Sequence, residues 1–222
     1  MLSVLVPSLA ARLAERQFLT PPRPRRPDAE RALLATARTR PLFVGTRHLE
    51  LWQWGSGPGV LLVHGWGGRG MQLGPFVEPL VARGFSAMTF DAPGHGPCGQ
   101  GLVTIPEMVV ATRAAAALGP LAGVVAHSVG ATVAARALYE GLEAGAVAFV
   151  APAADLVTAT TRFTATRGFS REVGEALQAR LERRADGRSR PSTSRPWRRR
   201  SASRCSSSTI GVTPTSRGST AG

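Results

Sequence analysis

Residues Leu121 to Ala135 read L-A-G-V-V-A-H-S-V-G-A-T-V-A-A, and the break inside this stretch decides how the chain is read. Leu121 to Ala126 is a short apolar run of strand length. It stops at His127-Ser128-Val129-Gly130, and a small-residue helical stretch follows. Strand, tight turn with a central serine, then helix is the context of a nucleophile elbow. Such a turn holds Ser128 in a strained backbone conformation and pushes its hydroxyl out above the sheet. The backbone N–H of Val129, at the helix start, would face an oxyanion. Positions two before and two after the serine must be small, because strand and helix backbones pass closely there. Ala126 and Gly130 meet that demand. On this pentapeptide alone, a chance serine in a strand–helix turn fits as well.

The neighbouring segments supply the context. Val60 to Val63 is a continuous apolar strand, as at the centre of a parallel sheet, and it runs into His64-Gly65-Trp66-Gly67-Gly68. Met71 to Arg83 carries Leu73, Phe76, Leu80 and Val81 at helical spacing. Phe85 to Phe90 reads as a strand ending in Asp91-Ala92-Pro93-Gly94-His95-Gly96. Ile105 to Leu118 reads as a helix, and Ala146 to Val150 as one more buried strand. Upstream, Met1 to Leu19 is a short amphipathic helix ended by Thr20-Pro21-Pro22, and Arg23 to Pro27 a solvated basic connector. Asp28 can cap a helix over Ala29 to Arg38. Pro41 to Val44 and His48 to Trp54 form a β-hairpin. Leu49, Leu51 and Gln53 lie on one face of its second strand, and Glu50, Trp52 and Trp54 on the other. Downstream, Val157 to Gly168 is less regular, and Ser170 to Arg184 is a charged amphipathic helix. Strands alternating with helices predict a doubly wound, mostly parallel α/β sheet.

Three motifs in order, H-G-W-G-G at 64–68, D-A-P-G-H-G at 91–96 and A-H-S-V-G at 126–130, resemble the α/β-hydrolase family over roughly residues 41 to 155. The resemblance implies that Ser128 is the catalytic nucleophile and that the backbone N–H groups of Trp66 and Val129 form the oxyanion hole. Donors placed where an acyl oxygen becomes negative are typically worth ~3 kcal/mol each in the transition state. Gly65, Gly67 and Gly68 would let the loop approach substrate without side-chain clashes. The implied activity is hydrolysis of an ester or related acyl substrate through an acyl-enzyme. Acyl transfer on the same fold is the alternative, since one nucleophile and oxyanion hole serve either acceptor.

The other polar residues of these motifs have structural readings. His64 braces the oxyanion loop, His95 sits in a Gly-rich turn, and Asp91 at a strand end steadies the loop that follows. His127 adjoins Ser128, with its side chain diverging from the serine and available for contact with substrate. His48 lies on the hairpin, far from the site. Trp66 could line an acyl pocket as well as lend its amide. Asp155, after the strand beyond the elbow, is a candidate stand-in for a triad acid. The family places an acid and then a histidine after the serine, yet no histidine follows His127. Serine without a base is a weak nucleophile. Losing a triad histidine costs on the order of a millionfold in turnover. Activity is therefore expected to be absent or very weak.

Composition bounds the rest. All 27 basic residues are arginine, and the formal net charge is +13. Up to Gly187 there are 19 arginines against 14 acids; from Arg188 onward there are 8 arginines and no acid. The basicity is thus largely a property of residues 188–222. Basic stretches do bind phosphate, which keeps a non-catalytic nucleic-acid-binding reading as a further alternative. This one, at Arg195 and Arg198 to Arg200, has no recognisable module and a single aromatic, Trp197, so no nucleic-acid partner is expected.

Cys98 and Cys205 give no metal spacing or disulfide framework, in keeping with a cytoplasmic protein. Met1 to Ala11 lacks a basic n-region, so a docking helix is read there rather than a signal peptide. No run reaches transmembrane length. No dinucleotide fingerprint or metal cluster is present, and no cofactor is expected; the expected partner is a small ester or acyl substrate.

Residues 1–40 are read as an N-terminal helical segment and linker, 41–156 as the α/β-hydrolase core, 157–187 as a cap or lid, and 188–222 as a basic low-complexity tail. The tail has two readings. One is ordinary disorder. The other is a shifted reading frame near Ala185 to Arg188, which would remove the last strands, the acid and the histidine. Shifting the codons of Arg204 to Gly211 by one frame permits L-L-V-I-H-D-R, a strand followed by an acid. The coding DNA decides: an intact frame with no hydrolase-like continuation in the others excludes the shift.

Overall fold

The computed structural model describes residues 7–96, 101–153 and 155–185. Six strands form one sheet in the order β1-β2-β4-β3-β5-β6. They are β1 (Arg38–Val44), β2 (Arg47–Trp54), β3 (Gly59–Val63), β4 (Ser86–Phe90), β5 (Leu121–His127) and β6 (Ala146–Val150). β1 pairs with β2, and β2 with β4, antiparallel; β4-β3-β5-β6 are parallel. β3, apolar along its whole length, and β4, with Ala87, Met88 and Phe90 among its two hydroxyl residues, are buried at every position. A sheet whose central strands are apolar on both sides needs helices on both faces, and it has them. On one face α4 (Ile105–Ala116) and α5 (Val129–Tyr139) pack Met108, Val109, Val133 and Ala134 against Leu61, Phe90 and Val124. On the other, Met71, Leu73 and Val77 pack with Trp52, Trp54 and Leu62, joined by Leu33 and Leu34 of α2 (Asp28–Ala35).

A third apolar cluster is helical. α1 (Pro7–Phe18), α6 (Leu156–Thr166) and α7 (Arg171–Ala185) meet around Ala10, Ala14, Leu19, Val173, Leu177 and Leu181. The Glu15 carboxylate, itself buried, receives Arg180 Nε at 2.6 Å and also pairs with Arg184, tying α1 to α7.

Several expectations need correction. The helix expected over Met71 to Arg83 is a 3₁₀ helix, Gly70–Phe76, followed by α3 (Val77–Ala82). Pro75 lacks the N–H that an α-helical ladder needs there. The helix expected to reach Arg38 ends at Ala35, because β1 claims Arg38; Asp28 is its first residue, paired with Arg31, and not its cap. The two faces read for β2 hold, and in its second half both are covered, Leu51 on one and Trp52 and Trp54 on the other. Val157 to Gly168 contains the regular helix α6. Asp155 caps it, and Thr160 and Thr164 return their hydroxyls to the carbonyls of Leu156 and Thr160, both at 2.9 Å. This back-bonding gives the buried hydroxyls partners within the helix. Arg26, expected in solvent, is largely buried.

The largest correction concerns β6. Its residues Ala146-Val-Ala-Phe-Val150 are apolar on both faces, yet all five are exposed. Among the described residues it is the edge of the sheet, paired only with β5. The segments 97–100 and 186–222, with Cys98, Cys205 and the basic tail, lie outside the described residues, as do residues 1–6.

Candidate active site

Ser128 stands between β5 and α5 with φ 53° and ψ −125°. A residue with a Cβ avoids this region, at a cost of about 1–3 kcal/mol that the surroundings must impose. The surroundings do so. Its N–H donates to the carbonyl of Val150 at 3.0 Å, extending the β5–β6 ladder one residue beyond the strand. Its own carbonyl accepts from Ala131 N–H at 2.9 Å and begins α5. A Cβ on Gly130 would lie 2.5 Å from the carbonyl oxygen of Val63 and 2.6 Å from that of His64. Any larger residue at Gly130 would push α5 off the end of β3. Gly65 packs on the serine from the β3 side; a Cβ there would be 3.0 Å from Ser128 Cβ and 3.5 Å from His127 Nδ1. Ser128, His127 and Val129 are half-buried. The structure therefore brings the turn at 127–130 and the loop at 64–68 together at the C-terminal ends of β3 and β5.

The loop is held from below. His64 is buried, donates from Nδ1 to the carbonyl of Gly65 at 2.8 Å, and accepts at Nε2 from Ala92 N–H at 2.9 Å. Burial lowers its pKa, with the nearby Asp91 partly opposing. The ring is thus neutral with both nitrogens committed, which leaves no lone pair for proton abstraction. Gly68 N–H donates to the carbonyl of Gly65 at 3.1 Å and closes the loop as a turn. His95, also buried, packs edge-on against His64 at 5.0 Å and against Trp66 at 5.4 Å. Burial, and then its neighbour His64, push its pKa down to about 4. Its Nδ1 bonds the carbonyl of Pro93 at 2.9 Å, and its buried Nε2 has no partner among the described residues.

The two carboxylates are engaged elsewhere. Asp91 accepts from Gly70 N–H at 2.8 Å and from Arg26 Nη2 at 2.7 Å, fastening the 91–96 turn to the 3₁₀ helix and the N-terminal connector. Asp155 accepts the backbone N–H of Thr158 at 2.6 Å and its hydroxyl at 2.9 Å; these bonds hold its pKa below the usual carboxylate value. Both Asp155 oxygens serve the start of α6. His48 rests against Phe43 on the hairpin, at 5.2 Å between rings. No side chain hydrogen-bonds the Ser128 hydroxyl among the described residues, and none of their His, Cys, Asp and Glu groups could hold a metal ion.

Sequence reasoning missed what sits on top of the loop. Trp66 stacks on Phe18 of α1, with centroids 6.2 Å apart and planes 24° from parallel. Phe18 in turn meets Phe163 of α6 edge-on at 5.2 Å. A Cβ on Gly67, whose φ is +67°, would stand 2.7 Å from Cγ of Pro22. Phe18 occupies the end of an amphipathic helix, which reads as ordinary docking, so its target was not legible.

The pattern of the alpha/beta hydrolase family matches residues 60–216. The chain belongs to this family. Its members share the fold seen here, a mostly parallel sheet flanked by helices. An esterase from Pyrococcus furiosus superposes with a TM-score of 0.55 at 21% identity, over 72% of this chain and 69% of that one. A bromoperoxidase from Bacillus anthracis gives 0.44 at 22% identity, over 50% of this chain and 44% of that one. An epoxide hydrolase from Vigna radiata gives 0.47 at 23% identity, over 52% of this chain and 40% of that one. The hydrolase chain thus spans less than half the length of the last two proteins. No curated protein matches it in sequence. No helix among the described residues is long and apolar enough to cross a membrane.

Proposed function

We propose that this alpha/beta hydrolase uses Ser128 as a nucleophile on an ester or related small acyl substrate. The observation that carries the reading is the forced left-handed backbone of Ser128 at the β5–α5 junction, with Gly65 seated against its Cβ. A serine held where glycine would be strain-free supports a functional demand on its side chain. Ser128 Oγ attacks the acyl carbon, and the carbonyl oxygen becomes an oxyanion received by the N–H groups of Trp66 and Val129. The alcohol leaves, and water releases the acyl group from the serine. An esterase with the same fold supports the acyl-substrate class.

Among the described residues, nucleophile and oxyanion donors are supplied and no side chain bonds the serine hydroxyl as a base. His64 has both nitrogens committed, and no histidine follows His127. The serine proton passes to water, and turnover is slow. In this reading α6 and α7 act as a cap, and the protein works in the cytoplasm. Hydrolysis of a short-chain p-nitrophenyl ester tests the assignment. Weak turnover that falls to the buffer rate in Ser128→Ala is expected; turnover equal in both proteins would overturn it.

A further inference from the structure

The family pattern begins at residue 60, so the segment 7–26 lies outside it. Three side chains of that segment nevertheless touch the two loops of the site. Phe18 stacks on Trp66, Pro22 closes on Gly67, and Arg26 bonds Asp91. His95 meets Trp66 edge-on as well, so the indole has two ring partners, one from the N-terminal helix and one from the 91–96 turn. The contact with Gly67 is close enough that no side chain fits between it and Pro22. The upper clamp is itself anchored. Leu19, next to Phe18, is buried and accepts from Val103 N–H at 2.9 Å through its carbonyl. Glu15, one turn earlier, is gripped by Arg180 and Arg184.

We infer that Phe18, seconded by Pro22, is a positioning residue that fixes the 64–68 loop and with it the Trp66 amide facing the Ser128 turn. The catalytic part of this inference rests on the function proposed above. An N–H donor acts in a transition state only if it is already aimed at the developing charge, since reorganisation at that moment cancels its value. A loop of three glycines among five residues does not hold such an aim by itself. A bulky side chain in that loop, packed against two rings from other segments, does. The N-terminal helix thereby becomes part of the site's machinery.

The test compares Phe18→Ala, Phe18→Tyr and Leu181→Ala in the full chain. Leu181 belongs to the same helical cluster on α7, so its truncation controls for general loosening. In Phe18→Ala, hydrogen exchange of the 64–69 amides should accelerate at least about tenfold. Phe18→Tyr should restore the native rate, and Leu181→Ala should leave it unchanged. Ester turnover above the Ser128→Ala background should fall about tenfold in kcat for Phe18→Ala with KM nearly constant, as for a donor lost mainly from the transition state. Unchanged exchange in Phe18→Ala, equal acceleration in Leu181→Ala, or a loss confined to KM would overturn the inference. Should wild type match Ser128→Ala in turnover, the proposed function fails, and exchange alone decides the positioning of the loop.

Discussion

Two buried histidines govern how the site behaves with pH. His95 has its pKa depressed to about 4, and His64 is shifted in the same direction, both mainly by burial. In the unfolded chain a histidine titrates near about 6.5. Between those values the unfolded state binds protons that the folded state refuses. The stabilisation is therefore complete above about pH 6.5 and is lost as the pH falls toward 4. For His95 alone the shift corresponds to on the order of 3 kcal/mol at the acid end. Urea unfolding at a series of pH values should show this decline, and His95→Phe should flatten part of it. A stability unchanged from pH 7 to 4.5 would contradict the burial of both rings as neutral species. The residue scale is also where the sequence was most informative. A-H-S-V-G marked the strand–turn–helix at Ser128, because the turn geometry needs small residues at fixed offsets, and Gly65 of H-G-W-G-G packs against it. The same reading misplaced Arg26 in solvent, because its burial is decided by Asp91, 65 residues away.

Among the elements, β6 is the weak one. Five apolar residues are exposed on a strand with one paired side, and Val147 and Phe149 keep 42% and 45% of their surface in contact with solvent. Leu156 and Val157 at the start of α6 are exposed apolar residues too. Exposed apolar edges template association with other chains. The purified protein should therefore aggregate with concentration, and Phe149→Lys should raise the concentration at which light scattering begins. A wild-type protein that stays monodisperse at high concentration would contradict this. The strand reads from its sequence as interior because apolar alternation reports what a segment is built to bury, not what covers it. The α6 helix was illegible for a related reason. Threonines are poor helix formers in isolation, and the Asp155 cap and the packing of the segment on its neighbouring helices lie outside what its own residues show. By contrast, β3, β4, β5 and α5 were evident, since continuous apolar runs bounded by glycine and proline have few other solutions.

At the scale of the molecule, a family fold and an N-terminal segment beyond the family pattern converge on one loop. The sheet order places β3 beside β5, so the loop leaving one and the turn leaving the other must meet. That topology explains why the three motifs were readable together. The α1–α6–α7 cluster against Trp66 was not, since its contacts join residues from both ends of the described chain. The central claim is that Ser128 is a nucleophile poised by its backbone and left without a histidine base. Incubation with a fluorophosphonate probe, followed by mass mapping of the adduct, tests it most directly. Slow labelling confined to Ser128, and abolished in Ser128→Ala, is the expected result. No labelling, or an adduct that persists in Ser128→Ala, would contradict the account.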